Sequence, residues 1–585
     1  MEWNKEQWEA ITHQGGPVLV AAGPGSGKTA VIVNHIRYLL DQGVPGETIL
    51  VLTFTRAAAI EMSERFRQLV TDETAVTFGT FHSVCFQILK EECGYCQEDL
   101  LTEEDKRRLL KELLFQHGML QANAEVQIER MLREIERRKG RGKNDDVAEE
   151  SDVSRIFAIY QAELKRRHRL DFQDMLEECY DLFLKSEKIR KKWKQRFQYL
   201  LVDEYQDLNA LQTAWVRLLA GQKGHVFAVG DEDQSIYRFR GADPSEMLHF
   251  ETQYPGARKI LLTKNYRTLP EILKYAEKLI QNNRERFAKK IEAVRKEQEN
   301  VVKVTCYEDE QAESDGIVQE MIRLHKEGHP FSDMAVLYRS MTSARRVIRA
   351  LSDRQIPFVC KEIPKEYQGE WAVEDMKSYF RLAQSRRWRR SDLLRILNRP
   401  ERGLPRTGLQ DEWIEPRQWL QQFDGVQGYE EKARELYRDI QRIGKMDRYA
   451  FVTYLWKGVG YDAFVKEFCR KREISETKIQ DQVAAWRDEK SQEEKCEQEG
   501  AFIVTMHASK GLEFPIVFLP ECNEGAVPHS RACSKQDVEE ERRLMYVAMT
   551  RAKDLLYLSW VKRRFHHHPP ASRFLKEMGL IEAER

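Results

Sequence analysis

Short apolar runs alternate with helical stretches near the N-terminus of the chain. VLVAA begins at Val18 and ILVLTF begins at Ile49, and a stretch with helical periodicity follows each run. Strands that alternate with helices in this way are typical of a parallel sheet. The pattern stops after Phe81 and resumes with YLLVDE at Tyr199 and HVFAVGD at His225. We therefore expect one α/β domain with a charged, mainly helical insertion between its two parts.

A second alternation of the same kind occupies the later part of the chain. It begins with VVKVTCY at Val301 and MAVLYRS at Met334. After a long interval rich in Arg, Glu and Trp it returns with AFIVTMH at Ala501, IVFLPE at Ile516 and LLYLSW at Leu555. This pattern predicts a second α/β domain, which is also interrupted by a helical insertion.

Length and composition fit this organisation and restrict the class of protein. A chain of 585 residues is too long for one hydrophobic core, and a mean hydropathy of -0.64 is that of a folded chain with a polar surface. No stretch approaches the about 18 apolar residues that a membrane-spanning helix needs, so we expect a cytoplasmic protein without a membrane partner. Because Lys+Arg and Asp+Glu both number 95, any nucleic-acid site must be local.

The first motif that carries chemistry is AAGPGSGKT, which follows the strand at Val18 and opens a helix. In this context small residues let backbone N–H groups turn toward phosphate oxygens, and the helix dipole favours negative charge. Lys28 is expected to reach the β and γ phosphates, and the Thr29 hydroxyl to ligate Mg²⁺. A tight strand-to-helix turn without a ligand is the alternative. The predicted nucleotide-binding residues of this loop are Ala22, Gly23, Pro24, Gly25, Ser26, Gly27, Lys28 and Thr29.

A second half of an ATPase site is indicated by DEYQD, which follows the apolar run YLLV. A buried strand that ends in carboxylates is costly without a cation. We expect Asp203 to hold Mg²⁺ and Glu204 to orient and deprotonate the attacking water. An acidic helix N-terminus would be the alternative, because the helix dipole also favours acids there.

The segment VGDEDQSIYRFRGA places Gln234 after a strand that ends near Asp231, and adds two aromatic residues and two arginines. The Gln234 amide can sense the γ phosphate. Tyr237 and Phe239 offer flat faces on which bases can stack. From this segment alone, burial of the two rings in a core is an equally good interpretation.

The order of these motifs resembles that of superfamily 1 helicases of the UvrD, Rep and PcrA type. The resemblance covers most of the chain and adds further motifs along it: NKEQ, TFTRAAAIEM, GTFHS, LDFQDML, NYRT, TMHASKGLEFPIVFLP and EERRLMYVAMTRAK. It implies two RecA-like P-loop NTPase domains, each interrupted by a mainly helical insertion. The implied divisions are 1–84 and 175–264 for the first domain, 85–174 for its insertion, 265–365 and 500–585 for the second domain, and 366–499 for its insertion.

Site residues follow from the same resemblance, position by position. Gln7 would read adenine, Tyr266 would stack on it, and Glu513 would contact the nucleotide. Arg267 and Arg551 would act as arginine fingers from the second RecA-like domain. The implied DNA-binding residues are Phe54, His82, Tyr237, Phe239, Arg240, Thr505 and His507.

The resemblance implies an ATP-dependent DNA helicase or translocase that uses Mg²⁺ and moves 3′ to 5′ on single-stranded DNA. Its expected partners are single-stranded and tailed duplex DNA, and the chain would act as a monomer or a DNA-induced dimer. DNA repair, replication restart or recombination is the expected setting. The alternative is an ATP-gated DNA-binding subunit of a repair or phage-defence complex, with protein partners and without processive unwinding alone. Intact Glu204, Gln234, Arg267 and Arg551 favour the active motor.

Overall fold

Two compact units make up the chain. The computed structural model describes residues 3–70, 74–120, 124–141, 152–221, 224–360, 370–406, 411–446, 448–472, 476–488, 500–564 and 567–582. Unit 1 consists of Met1–Val301, Ala532–Lys553 and Glu577–Arg585, and unit 2 of Val302–Arg531 and Asp554–Lys576.

The strands lie, in chain order, at β1 Val18–Ala22, β2 Ile49–Thr53, β3 Thr77–Thr80, β4 Tyr199–Val202, β5 His225–Gly230, β6 Arg258–Leu262, β7 Lys264–Asn265, β8 Glu292–Ala293, β9 Val302–Asp309, β10 Met334–Tyr338, β11 Phe358–Val359, β12 Trp388–Arg389, β13 Trp413–Ile414, β14 Ala501–Thr505, β15 Phe514–Leu519 and β16 Ala552–Arg563.

The α-helices lie at α1 Lys5–Ile11, α2 Lys28–Asp41, α3 Arg56–Leu69, α4 Phe81–Cys93, α5 Glu103–Gln116, α6 Ala124–Arg141, α7 Asp152–Arg166, α8 Asp174–Lys185, α9 Glu187–Arg196, α10 Ala210–Ala220, α11 Pro244–Leu248, α12 Phe250–Gln253, α13 Pro270–Ile280, α14 Glu310–Lys326, α15 Arg345–Asp353, α16 Glu370–Gln384, α17 Arg390–Ile396, α18 Pro416–Gln421, α19 Glu430–Ile443, α20 Arg448–Thr453, α21 Tyr461–Arg472, α22 Glu476–Asp488, α23 Lys535–Met549 and α24 Arg573–Met578.

Unit 1 contains a parallel sheet with the strand order β3-β2-β4-β5-β1-β6. Alternate residues of its central strands enter two different cores: Leu50 and Leu52 pack into one, and Val51 into the other. Both faces of the sheet are therefore covered, which is why these strands read as continuous apolar runs. Because the strands are parallel, the loops at their carboxyl ends gather at one edge of the sheet.

The first helical insertion has a core of its own. Leu110 and Leu114 of α5 pack with Ile135 of α6 and with Ile156 and Tyr160 of α7. Thr102 caps α5 by accepting a hydrogen bond from the Asp105 backbone N–H at 3.1 Å. The buried leucines recur at the helical spacing that indicated this insertion.

Unit 2 contains a second sheet, with the strand order β11-β14-β10-β15-β16-β9. The pairs β11–β14, β14–β10, β10–β15 and β16–β9 are parallel. Helices α16 to α22 form a separate cluster around buried aromatic residues such as Trp388, Trp419 and Tyr379. The predicted α/β class, with two parallel sheets and helical insertions, is confirmed.

One buried carboxyl group in unit 2, that of Glu313, accepts two hydrogen bonds through the same oxygen. Glu313 Oε1 accepts a bond from Ser559 Oγ at 2.6 Å and another from the Glu521 backbone N–H at 3.0 Å. Burial, together with the nearby Glu521 carboxylate, raises the pKa of Glu313 to about 7.

The division by contacts differs from the division expected from sequence. Residues 265–301 and 532–553 lie in unit 1, whereas the sequence analysis assigned them to the second RecA-like domain. The bounds of the six predicted segments stay predictions. In the described part of the chain, every helix is too short or too polar to cross a membrane.

Candidate active site

Glycines at positive φ shape the loop between β1 and α2. Gly25 and Gly27 have φ angles of 61° and 83°, in the left-handed region that favours glycine. A Cβ atom on Gly25 would lie 2.7 Å from the Cβ of Arg267, and one on Gly23 would collide with Ile291 Cδ1. No side chain caps α2, whose N-cap residue is Gly27. Its first backbone N–H groups therefore remain available to an anion.

Lys28 is the first residue of α2 and directly follows this loop. The Nζ atom is buried, and among the described residues it has no hydrogen-bond acceptor. Its nearest counter-charge is Glu204 Oε2, at 3.7 Å. A buried ammonium without acceptors is costly, so this position suits a polyanion that enters the loop.

Two carboxylates follow the end of β4. Asp203 is buried, and its Oδ1 accepts a hydrogen bond from the Glu204 backbone N–H at 3.0 Å. Glu204 has a φ of 50°, a strained angle for a residue with a side chain. Strain of this kind accumulates at functional sites, where it fixes the direction of a side chain.

Gln206 holds the Glu204 side chain in place. It lies within the DEYQD motif but was not predicted as a site residue. Its Nε2 donates to Glu204 Oε2 at 2.5 Å, and its Oε1 accepts from the Asp231 backbone N–H at 2.8 Å. A Cβ on Gly230 would lie 2.5 Å from that same Oε1. Gln206 therefore connects the ends of the neighbouring strands β4 and β5.

The oxygen groups at this edge fit a magnesium ion. Thr29 lies in the first turn of α2, next to Lys28, and Asp203 directly precedes Glu204, whose carboxylate lies 3.7 Å from the Lys28 ammonium. Hydroxyl and carboxylate oxygens are the ligands that Mg²⁺ prefers.

Three further carboxylates, on Asp231, Glu232 and Asp233, lie close enough together to hold a metal ion. The buried Lys289 ammonium occupies their centre, with Nζ 2.5 Å from Asp231 Oδ1 and 2.8 Å from Glu232 Oε2. Burial raises the pKa of Glu232 to about 7. This second cluster is thus already neutralised by the protein itself.

Gln7 lies in the first turn of α1 and contacts the phosphate loop. Its Nε2 donates to the Ser26 carbonyl at 3.0 Å, and its Oε1 accepts from the Asn4 backbone N–H in a capping box. Asn4 also donates, through Nδ2, to the Tyr266 hydroxyl at 3.0 Å. The ring of Tyr266 is 42% exposed. The structure therefore brings Gln7 and Tyr266 together beside the loop.

Asn265 anchors the NYRT segment to the phosphate loop and is a second residue that sequence reasoning missed. Its buried side chain donates through Nδ2 to the Pro24 carbonyl at 2.6 Å. Its Oδ1 accepts from the backbone N–H groups of Arg267 and Thr268 at 2.9 and 2.8 Å. Arg267 is thereby held next to Gly25.

Arg551 follows α23 and is only 2% exposed. Its Nε donates to the Val547 carbonyl at 2.9 Å, and its Nη2 lies 3.3 Å from Gln234 Oε1. Gln234 Nε2 donates to Asp231 Oδ2 at 2.6 Å. The predicted finger and the predicted sensor are therefore in direct contact within unit 1.

The aromatic residues after β2 and β5 form a stack instead of entering a core. The rings of Phe54 and Tyr237 are stacked, with centroids 5.2 Å apart and an interplanar angle of 10°. Tyr237 meets Phe239 edge-on at 6.0 Å, and Phe239 is 67% exposed. The side chain of Arg240 lies outside the described residues.

A second stack lies at the start of α4. His82 and Phe172 are stacked with centroids 4.0 Å apart at 17°, and Phe172 is 55% exposed. Burial lowers the pKa of His82 to about 4, so the ring is neutral at pH 7. Phe172 was not predicted as a site residue, although the LDFQDML motif contains it.

Three predicted residues belong to unit 2. Thr505 ends β14, and its Oγ1 accepts from the Ala508 backbone N–H at 3.2 Å. His507 is half-buried in the turn that follows, and Glu513 is exposed just before β15. Their roles stay predictions, as do those of the site residues in unit 1.

Comparisons with known proteins agree with this arrangement of motifs. The model of the UvrD/REP helicase N-terminal domain matches residues 3–255, and that of the UvrD-like helicase C-terminal domain matches residues 260–438 and 462–563. The ATP-dependent DNA helicase PcrA of Staphylococcus aureus is 30% identical over 637 residues, covering 99% of this chain and 87% of the relative. PcrA of Staphylococcus epidermidis is 31% identical over 631 residues, covering 98% and 86%. The chain therefore belongs to the UvrD-like helicase family.

Proposed function

We propose that this protein is an ATP-dependent DNA helicase or translocase that moves 3′ to 5′ on single-stranded DNA and couples hydrolysis of Mg-ATP to strand separation. The observation that carries this proposal is the buried Lys28 ammonium at the start of α2, which has no hydrogen-bond acceptor among the described residues and lies 3.7 Å from Glu204 Oε2. The matched relatives are named ATP-dependent DNA helicases, which supports DNA as the proposed substrate.

Lys28 and the N–H groups of the phosphate loop would bind the β and γ phosphates of ATP. Thr29 and Asp203 would hold Mg²⁺, which supplies neutralisation of charge on the phosphate oxygens when it is bound. Gln7 and Tyr266, which meet beside the loop, would bind the adenine ring.

Glu204 is the proposed general base. It would take the proton from the water that attacks the γ phosphate, while Gln206 holds its carboxylate in direction. Arg267 and Arg551 would stabilise the negative charge of the transferring phosphoryl group. Gln234, which contacts Arg551, would report the state of the γ phosphate.

Single-stranded DNA would bind across the two aromatic stacks of unit 1. Exposed rings offer faces to bases of any sequence, at about 1–3 kcal/mol for each stacked base. We include Phe172 with Phe54, His82, Tyr237 and Phe239 in this track. Because the chain carries no net charge, stacking and local groups would supply the binding that overall charge does not.

The motif match alone supports three roles in unit 2: Glu513 at the nucleotide, and Thr505 and His507 at the DNA. Repair, replication restart or recombination is the proposed setting, with the protein acting as a monomer or a DNA-induced dimer.

The test is steady-state ATP hydrolysis with Mg²⁺, with and without single-stranded DNA, together with strand displacement on duplexes that carry a 3′ or a 5′ tail. We expect DNA to stimulate hydrolysis and the 3′-tailed duplex alone to be unwound. Stimulation without unwinding would favour an ATP-gated motor subunit of a repair or defence complex. A rate of ATP hydrolysis that is the same with and without single-stranded DNA would overturn the proposed motor.

A further inference from the structure

The turn after β5 concentrates negative charge in the interior of unit 1. Asp231, Glu232 and Asp233 are consecutive, and all three side chains are buried. Buried carboxylates are strongly unfavourable unless cations and hydrogen-bond donors compensate for them. The residues that compensate come from the segment between α13 and β8, more than 50 positions later in the chain.

Lys289 provides the central compensation. Its Nζ lies 2.5 Å from Asp231 Oδ1, 2.8 Å from Glu232 Oε2 and 3.4 Å from Asp233 Oδ2. Arg286 holds Asp233 with two hydrogen bonds, at 3.0 and 2.8 Å. Each carboxylate therefore has a cationic partner, and the partner of Asp231 is Lys289.

The contact between Lys289 and Asp231 bears on the direction of the Gln234 amide. Asp231 Oδ1 receives the Lys289 ammonium, and Asp231 Oδ2 receives Gln234 Nε2 at 2.6 Å. A carboxylate oxygen only accepts hydrogen bonds, so the amide NH₂ group must face Asp231. The amide oxygen then points the other way, where Arg551 Nη2 lies at 3.3 Å.

We propose that Lys289 is a positioning residue for ATP hydrolysis: by fixing Asp231 it sets the Gln234 amide in the direction that receives Arg551. Lys289 itself does not touch the phosphate loop in any contact the structure records. This inference rests on the proposed function, because it assigns Lys289 to the same hydrolytic site. The chain of contacts runs from Lys289 through Asp231 and Gln234 to Arg551.

The test compares Lys289→Met with Lys290→Met, which places the same substitution on the exposed neighbour. In Lys289→Met we expect kcat for DNA-stimulated ATP hydrolysis to fall by about 100-fold, since small misplacements of catalytic groups cost this much. The KM for ATP should stay within about twofold, because the phosphate loop is unchanged. Lys290→Met should match the wild type.

A second variant separates positioning from folding. Glu232→Gln in the Lys289→Met background removes one of the uncompensated charges without restoring the contact to Asp231, because the Glu232 carboxylate accepts hydrogen bonds from Lys289 and from the Phe287 backbone N–H. We expect the double variant to regain thermal stability but not kcat. Recovery of kcat together with stability, or wild-type kcat in Lys289→Met, would overturn the positioning role. An inactive wild-type protein would instead overturn the proposed function.

Discussion

Lys28 is the residue whose removal separates catalysis from folding most sharply. Its ammonium is buried without a hydrogen-bond acceptor among the described residues, which costs about 1–3 kcal/mol. Its partly exposed ion pair with Glu204, at 3.7 Å, returns about 1 kcal/mol at most. Replacing Lys28 by Met keeps the length of the side chain and removes both terms. We therefore expect the nucleotide-free protein to be as stable as the wild type, or slightly more stable.

The rate of ATP turnover, in contrast, should fall strongly. The ammonium would neutralise charge on the phosphates, and loss of a cation at this point of phosphoryl transfer lowers kcat by about 10³-fold or more, or about 4 kcal/mol. One substitution should thus abolish hydrolysis while the free energy of unfolding changes by about 1 kcal/mol or less.

The assay pairs a coupled ATPase measurement with thermal unfolding of the nucleotide-free protein. Lys111→Met, on an exposed position of α5, is the matched control and should leave both quantities unchanged. Near-normal hydrolysis by Lys28→Met would refute the site assignment. A Tm lowered by more than about 5 °C would mean that Lys28 stabilises the fold, contrary to the contacts described.

Three further predictions follow from other residues. Glu204→Gln should lower kcat by about 10²- to 10⁴-fold while a fluorescent ATP analogue still binds, because the amide cannot accept the proton from water. Phe172→Ala should weaken single-stranded DNA binding by about 5- to 100-fold in fluorescence anisotropy without changing the salt dependence, because the exposed Phe172 ring would stack on a base and contact no phosphate. Glu313→Gln should raise the Tm relative to wild type at pH 8 but not at pH 4. Because folding raises the pKa of Glu313, its neutral carboxyl group contributes roughly 3 kcal/mol to the free energy of unfolding of the wild type below about pH 4.5. This contribution is lost as the pH rises through about 7.

Each of these has an outcome that contradicts it. Normal ATP turnover by Glu204→Gln would show that Glu204 is not the general base. A change in the salt dependence of DNA binding by Phe172→Ala would mean that the aromatic stack acts by positioning charged groups that contact phosphates. A Tm difference for Glu313→Gln that is the same at both pH values would show that this carboxyl group does not titrate with folding.

In the sheet of unit 1, the strands that sequence reasoning found and those it missed differ in burial. The strands β1, β2 and β5 are buried throughout, and each appears in the sequence as a continuous apolar run. The edge strands β3 and β6 were not predicted. Only one of the four residues of β3 is buried, and β6 begins with two exposed cations, so neither carries the apolar signal of a strand.

The sequence by itself determined the family, the two α/β alternations and the local chemistry of the phosphate loop. Consecutive residues carry this information: glycines at positive φ, a lysine at the start of a helix and acids at the end of a strand. The tertiary structure decided which distant residues support that chemistry. Asn265 reaches Pro24, and Lys289 reaches Asp231, across 241 and 58 positions. Periodicity describes how a segment meets the core, whereas these contacts depend on which loops the parallel strands bring to one edge of the sheet.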